Sequence, residues 1–111
     1  MRLTLQSEVE FRPPVLGNLD LPEDDQVVVR IRVPTAIEWC EIVHRTPGSP
    51  LPTADLLKQF VASVSNLTVE VGGAEVEITD GEKLAAQPSL GTIANAVALR
   101  ILGLAAAPDP T

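Results

Sequence analysis

Cys40 and His44 stand four residues apart in Ala36-Ile37-Glu38-Trp39-Cys40-Glu41-Ile42-Val43-His44, a spacing that puts both side chains on one face of a helix. A thiol and an imidazole so placed can form a nucleophilic pair or give two ligands to a metal ion. A zinc centre needs four ligands, or three and an open position, and the chain has no other cysteine or histidine. Carboxylates would have to complete the set. The plainer reading is that Cys40 packs beside Ile37 as a small apolar residue, with His44 at the helix end. The acidic run Asp20, Glu23, Asp24 and Asp25 lacks the ligand spacing and the glycine of a calcium-binding EF-hand loop, so it reads as a solvated loop. No paired-carboxylate or Ser-His-Asp arrangement emerges from the spacing. The expectation is a chain that is not an enzyme and takes no cofactor and no metal.

Composition narrows the remaining classes. One hundred and eleven residues suit one domain with a modest core, and 45% are hydrophobic but only 3% aromatic. Leu, Val, Ile and Ala must therefore build the core. A net charge of −7, with scattered Lys and Arg, argues against nucleic-acid binding. Only Arg30 and Arg32 lie close, as a short cationic row on a strand. A single cysteine excludes an intramolecular disulfide and fits a reducing compartment. The charged, alternating N-terminus is not a signal peptide, and no apolar run is long enough to span a membrane.

The elements that must position any site follow from periodicity. Leu3, Leu5, Val9 and Phe11 alternate, and Pro13-Pro14 end that strand or hairpin arm. Gln26–Val33 is the strongest strand, with Val27, Val29, Ile31 and Val33 on one face. Thr35 and Glu38 form a capping box for a helix reaching about Arg45, where Pro47 forbids continuation. Thr53 caps a second helix reaching about Ser65, with Leu56, Leu57, Phe60, Val61 and Val64 as its apolar side. Gly72-Gly73 closes a β-hairpin between residues 67–71 and 74–78. Asp80 caps a short helix to about Gln87, and Pro88-Ser89 breaks the chain before the last one. The fold class is α+β: a small antiparallel sheet, made by Gln26–Val33 with the N-terminal strand and the hairpin, packed against three or four helices. Residues 1–104 form the domain and 105–111 a flexible tail.

The last helix carries the strongest functional signal. From Ser89 to Ala107 its only charged residue is Arg100, in an acidic protein. Leu90, Ile93, Ala94, Val97, Ile101 and Leu104 fit one stripe facing the core. Ala98, Leu99 and Leu102 fall on a second apolar side, which either packs within this domain or meets a partner, and these three are the residues expected to contact one. Leaving Leu99 and Leu102 wet would forgo about 1.5–3 kcal/mol each. Trp39 is either core or an aromatic anchor for the same partner.

The order of elements resembles that of the small tail assembly chaperones of long-tailed bacteriophages. The likeness spans roughly residues 26–104 and is carried by Arg30-Ile31-Arg32-Val33-Pro34-Thr35 before the helix Ala36-Ile37-Glu38-Trp39. It continues with Phe60-Val61 on a helix, the strand Asn66–Val71, Asp80-Gly81-Glu82 and the Pro88-broken helical pair. The resemblance implies a non-enzymatic protein of the infected bacterial cytoplasm. Such a protein coats the tape measure protein, keeps it soluble and yields to tail tube protein. Self-association through the last helix is compatible with this reading. The rival reading is a structural virion component, such as a tail or head–tail connector subunit.

Overall fold

The computed structural model describes residues 2, 5, 7–43, 53–87 and 90–106. Strand β1 (Glu8–Phe11) turns Val9 inward and Glu8 and Glu10 outward, and pairs antiparallel with β2 (Val28–Arg32). On the outer face Arg30 lies opposite Glu10, and its guanidinium bonds that carboxylate at 3.0 Å with Glu8 at 4.0 Å. The cationic row is thereby neutralised, since Arg32 is also paired. Between the strands, two short 3-10 turns (Asn18–Asp20 and Glu23–Asp25) carry the acidic run.

After β2 the chain enters helix α1 (Ala36–Val43) through the expected capping box. The Glu38 N–H donates to Thr35 Oγ1 at 3.2 Å, and the Thr35 N–H donates to Glu38 Oε1 at 3.0 Å. Glu38 does more than cap. Both Arg32 guanidinium nitrogens donate to its carboxylate at 2.8 Å, and the Gln59 side-chain amide adds a bond at 3.1 Å. His44, Arg45 and the expected helix end lie outside the described residues.

Helix α2 (Thr53–Phe60) is shorter than its apolar pattern suggests, because the chain passes directly into strand β3 (Val61–Ser65). The single helix expected to reach Ser65 is therefore a helix and a strand. Strand β3 pairs antiparallel with β2, completing a β1-β2-β3 sheet. Its register shifts between the partners of Arg30 and Ile31, which leaves Ala62 as an extra residue. That bulge is why Val61 and Val64, three apart, both face inward: an irregular strand has imitated helical spacing.

The glycine pair behaves as expected, with positive φ at Gly72 and Gly73 joining β4 (Thr68–Val71) to β5 (Ala74–Glu77). This hairpin is a separate two-stranded sheet and does not extend the first one. β3, hidden in the supposed helix, takes the place beside β2. Asp80 Oδ1 then accepts from the Lys83 N–H at 2.8 Å and caps α3 (Gly81–Ala86). Helix α4 (Gly91–Ala106) runs past the expected domain limit at residue 104, and residues 107–111 lie outside the described set.

The inner face of the three-stranded sheet, the apolar sides of α2 and α4, Ile78 and Leu84 form one core. Helix α2 is its centre, touching α3, α4 and β3. Gly81 sets the closest approach: a Cβ there would fall on the Leu57 carbonyl oxygen and press on Val61. Gly81 opens α3 directly after the Asp80 cap, so alanine's advantage over glycine there is less than the roughly 1 kcal/mol of a helix interior, whereas displacing backbone in a packed core costs about 1–3 kcal/mol or more. The clash wins. Gly81→Ala is expected to lower stability in urea denaturation by about 2 kcal/mol net.

The Arg32 hydrogen bonds, helped by the Thr35 N–H and opposed by desolvation, hold the Glu38 pKa at about 2, below its ordinary 4.5. A depressed carboxylate contributes stability that is complete above its unfolded pKa and is lost as pH falls through the folded one. The window is therefore pH 4.5 down to about 2. Arg32 is partly exposed, so screening reduces the contribution to about 1–2 kcal/mol. Urea melts of Glu38→Gln and the unaltered chain should differ by that amount at pH 7 and converge near pH 2.

Candidate functional site

The sequence-predicted residues separate once α4 is packed. Ala98 is 5% exposed and belongs to the core, so the expectation that it faces a partner is corrected. The reason is helical geometry: Ala98 stands four residues after Ala94 and three before Ile101, both on the buried stripe. Leu102 is half-buried and packs on the core from its edge. Leu99 alone stands clear, at 61% exposure. Its neighbours one turn away, Asn95 and Gly103, are also exposed. The six-residue stripe from Leu90 to Leu104 is buried throughout, as expected. The second apolar side has narrowed to one leucine with a partly covered companion.

Helix α1 lies against α4 and carries the other exposed apolar residues considered for partner contact. Trp39 is half-buried and outside the core cluster. Ile37 is 74% exposed and Cys40 is exposed too, which overturns the reading of Cys40 as a packed residue beside Ile37. None of the α1 side chains from Ala36 to Glu41 is buried. Glu38 is held toward Arg32 and Gln59, so the first turn of α1 is anchored by polar bonds. An exposed Ile37, a half-exposed Trp39 and an exposed Leu99 thus stand on one pair of adjacent helices. Scattered exposed leucines are ordinary; exposed apolar residues on two adjacent helices of an acidic protein make a candidate interaction surface.

Among the described residues no group of three or more His, Cys, Asp or Glu is placed to hold a metal ion. His44, the other half of the Cys40 pair, lies outside them. Among the described residues no helix is long and apolar enough to cross a membrane.

A second apolar feature escaped the pattern of the sequence. A cavity of about 170 Å³ opens between the loop after β1 and α4, walled by Val15, Leu16, Leu21, Val27, Leu67 and Ile93. These residues come from distant stretches of chain, so no local period joins them. The one local signal is Gly17-Asn18, a turn signature directly after two large apolar residues.

The placements separate in stability measurements. Leu99→Asp should cost about 1 kcal/mol or less. Ala98→Asp, which buries a charge, should cost more than about 3 kcal/mol or prevent folding. Comparison with protein-family models, with curated proteins and with solved structures yields no match, so this chain's own surface carries the functional reading.

Proposed function

We propose that this chain is a non-enzymatic protein-binding module that recognises an apolar, helix-forming client segment on the α1–α4 face. The observation that carries the reading is the exposure of Leu99 and Ile37 on adjacent helices, with Trp39 half-buried on α1. An amphipathic client helix would bury these side chains as the domain's own stripe buries the opposite side of α4. A net charge of −7 would keep copies arrayed along one client soluble through mutual repulsion.

The client in this proposal rests on the resemblance in element order alone. The resemblance to tail assembly chaperones implies the tape measure protein as partner, with tail tube protein as its successor, in the cytoplasm of an infected bacterium. Two features of that resemblance read differently once the chain is folded. Phe60-Val61 marks a helix-to-strand junction, and the hairpin arm begins at Thr68. The β2–α1 junction, the Asp80-capped helix and the apolar final helix keep their places.

Leu99→Asp is the clean probe, because Leu102 also packs on the core and a charge there would test folding. Co-expressed with a tape measure protein, the unaltered chain should keep it soluble and be recovered with it by pull-down. Leu99→Asp should lose both effects while its circular dichroism stays native. Retention of the protein in purified particles would instead support the structural-virion reading.

A further inference from the structure

The loop from Arg12 to Val27 contains a residue choice that the folded chain does not explain. Val15–Asn18 is a tight turn closed by the Asn18 N–H donating to the Val15 carbonyl at 3.0 Å, with φ of 54° at Leu16 and 74° at Gly17. These are the left-handed angles of a type I′ turn, whose first central position favours Asn, Asp or Gly. The occupant is leucine, a bulky residue for which this region is strained. Nor does burial compensate, since Leu16 is 74% exposed. A strained, wet leucine on the lip of an apolar cavity is costly to the free protein on both counts, so the outlier points toward a ligand.

The cavity is preformed. Asn18 is buried; its side-chain amide donates to the Pro13 and Val27 carbonyls at 3.1 and 3.2 Å and its oxygen accepts from the Val27 N–H at 2.7 Å. Gln26 donates to the Leu19 and Leu21 carbonyls, and Asn66 reaches across to those of Asp24 and Gln26. Three side-chain amides thus pin the loop, which lowers the ordering cost of binding. In size, an apolar cavity of about 150 Å³ accepts a benzene ring, and this one measures about 170 Å³. One leucine or phenylalanine side chain matches it.

Charge selects what flanks that side chain. The wall residues Leu21 and Val27 bracket Glu23, Asp24 and Asp25, and Asp20 adjoins Leu21. Glu23 lies 3.8 Å from Arg12, but Asp20, Asp24 and Asp25 have no ion pair among the described residues. We infer that this pocket is a second binding site, distinct from the α1–α4 face, for a peptide segment whose bulky apolar side chain is flanked by lysine or arginine. A second copy of this chain is disfavoured as occupant because its own surface is acidic.

Titration calorimetry of the full chain with a blocked peptide, one central phenylalanine with lysines on both sides, tests this. Saturable binding that weakens with added salt is expected. Leu16→Gly should weaken it about tenfold through lost apolar contact, while the melting temperature stays at or above that of the unaltered chain because glycine accepts the turn. Asp24→Lys with Asp25→Lys should weaken it and flatten its salt dependence. The inference is overturned if the peptide does not bind, if Leu16→Gly binds it equally well, or if replacing phenylalanine by alanine or lysine by glutamate leaves affinity unchanged. A concentration-dependent dimer abolished by Leu16→Gly would also overturn it, by making a second copy the occupant.

Discussion

Arg32 joins the sheet to both of the helices that follow it in the chain. From the middle strand it places one guanidinium plane over the Phe60 ring at 4.8 Å, gives two parallel bonds to Glu38 and approaches the Gln59 carbonyl at 3.4 Å. A lysine could keep the charge but not the fork or the stacking. Glu38 in turn closes the first turn of α1 through Thr35. One ion pair thereby orients a helix whose described side chains bury little on their own. Most surface pairs contribute little, but a bidentate, multiply bonded pair is the exception. The exposed apolar residues of α1 are the counterpart of this polar anchoring: with orientation fixed by Glu38, Ile37 is not required for the core.

Below this node, α2 packs against β3, α3 and α4. The contact of Gly81 with the Leu57 backbone lets α3 sit closer than any side chain would allow. That approach fixes where the chain leaves for α4, whose inner stripe then closes the core. Because α2 turns into β3 without a loop, its roll about its axis is also tied to the sheet register. The Ala62 bulge absorbs the mismatch. The domain is thus held by a polar joint at one end of α2 and a close-packed joint along its side.

Signals that act over a few residues were legible in the sequence. The Thr35–Glu38 box, the Asp80 cap, the Gly72-Gly73 turn and the Leu90–Leu104 stripe each depend on neighbours within a turn or two, and each takes its expected form. What failed depended on tertiary context. The run Leu56–Val64 satisfies a helical stripe, yet β-branched Val61 and Val64 gain more as the third strand beside β2. No local feature announces a bulge. Ala98 falls on the second apolar side in the sequence pattern, although its position relative to Ala94 and Ile101 already placed it inside. Leu99 could be read as outward from the helical period; the cavity could not, because its walls meet only after folding.

The loop after β1 shows how a strained residue can persist. Folding stability elsewhere comes from one continuous apolar core, and the loop is attached to it by amide side chains as well as by the apolar contacts of Pro13, Val15 and Val27. Asn18 satisfies the carbonyls that a tight turn turns inward, and Asn66, itself at φ 64°, does the same from the end of β3. Such bonds fix backbone position while leaving side chains such as Leu16 and Leu21 uncovered. A loop held mainly by apolar burial would have had to fold those leucines inward and close the cavity. Amide bonds added to these apolar anchors therefore fix the loop backbone while Leu16 and Leu21 stay uncovered, which leaves an apolar cavity open in an acidic domain whose copies repel one another.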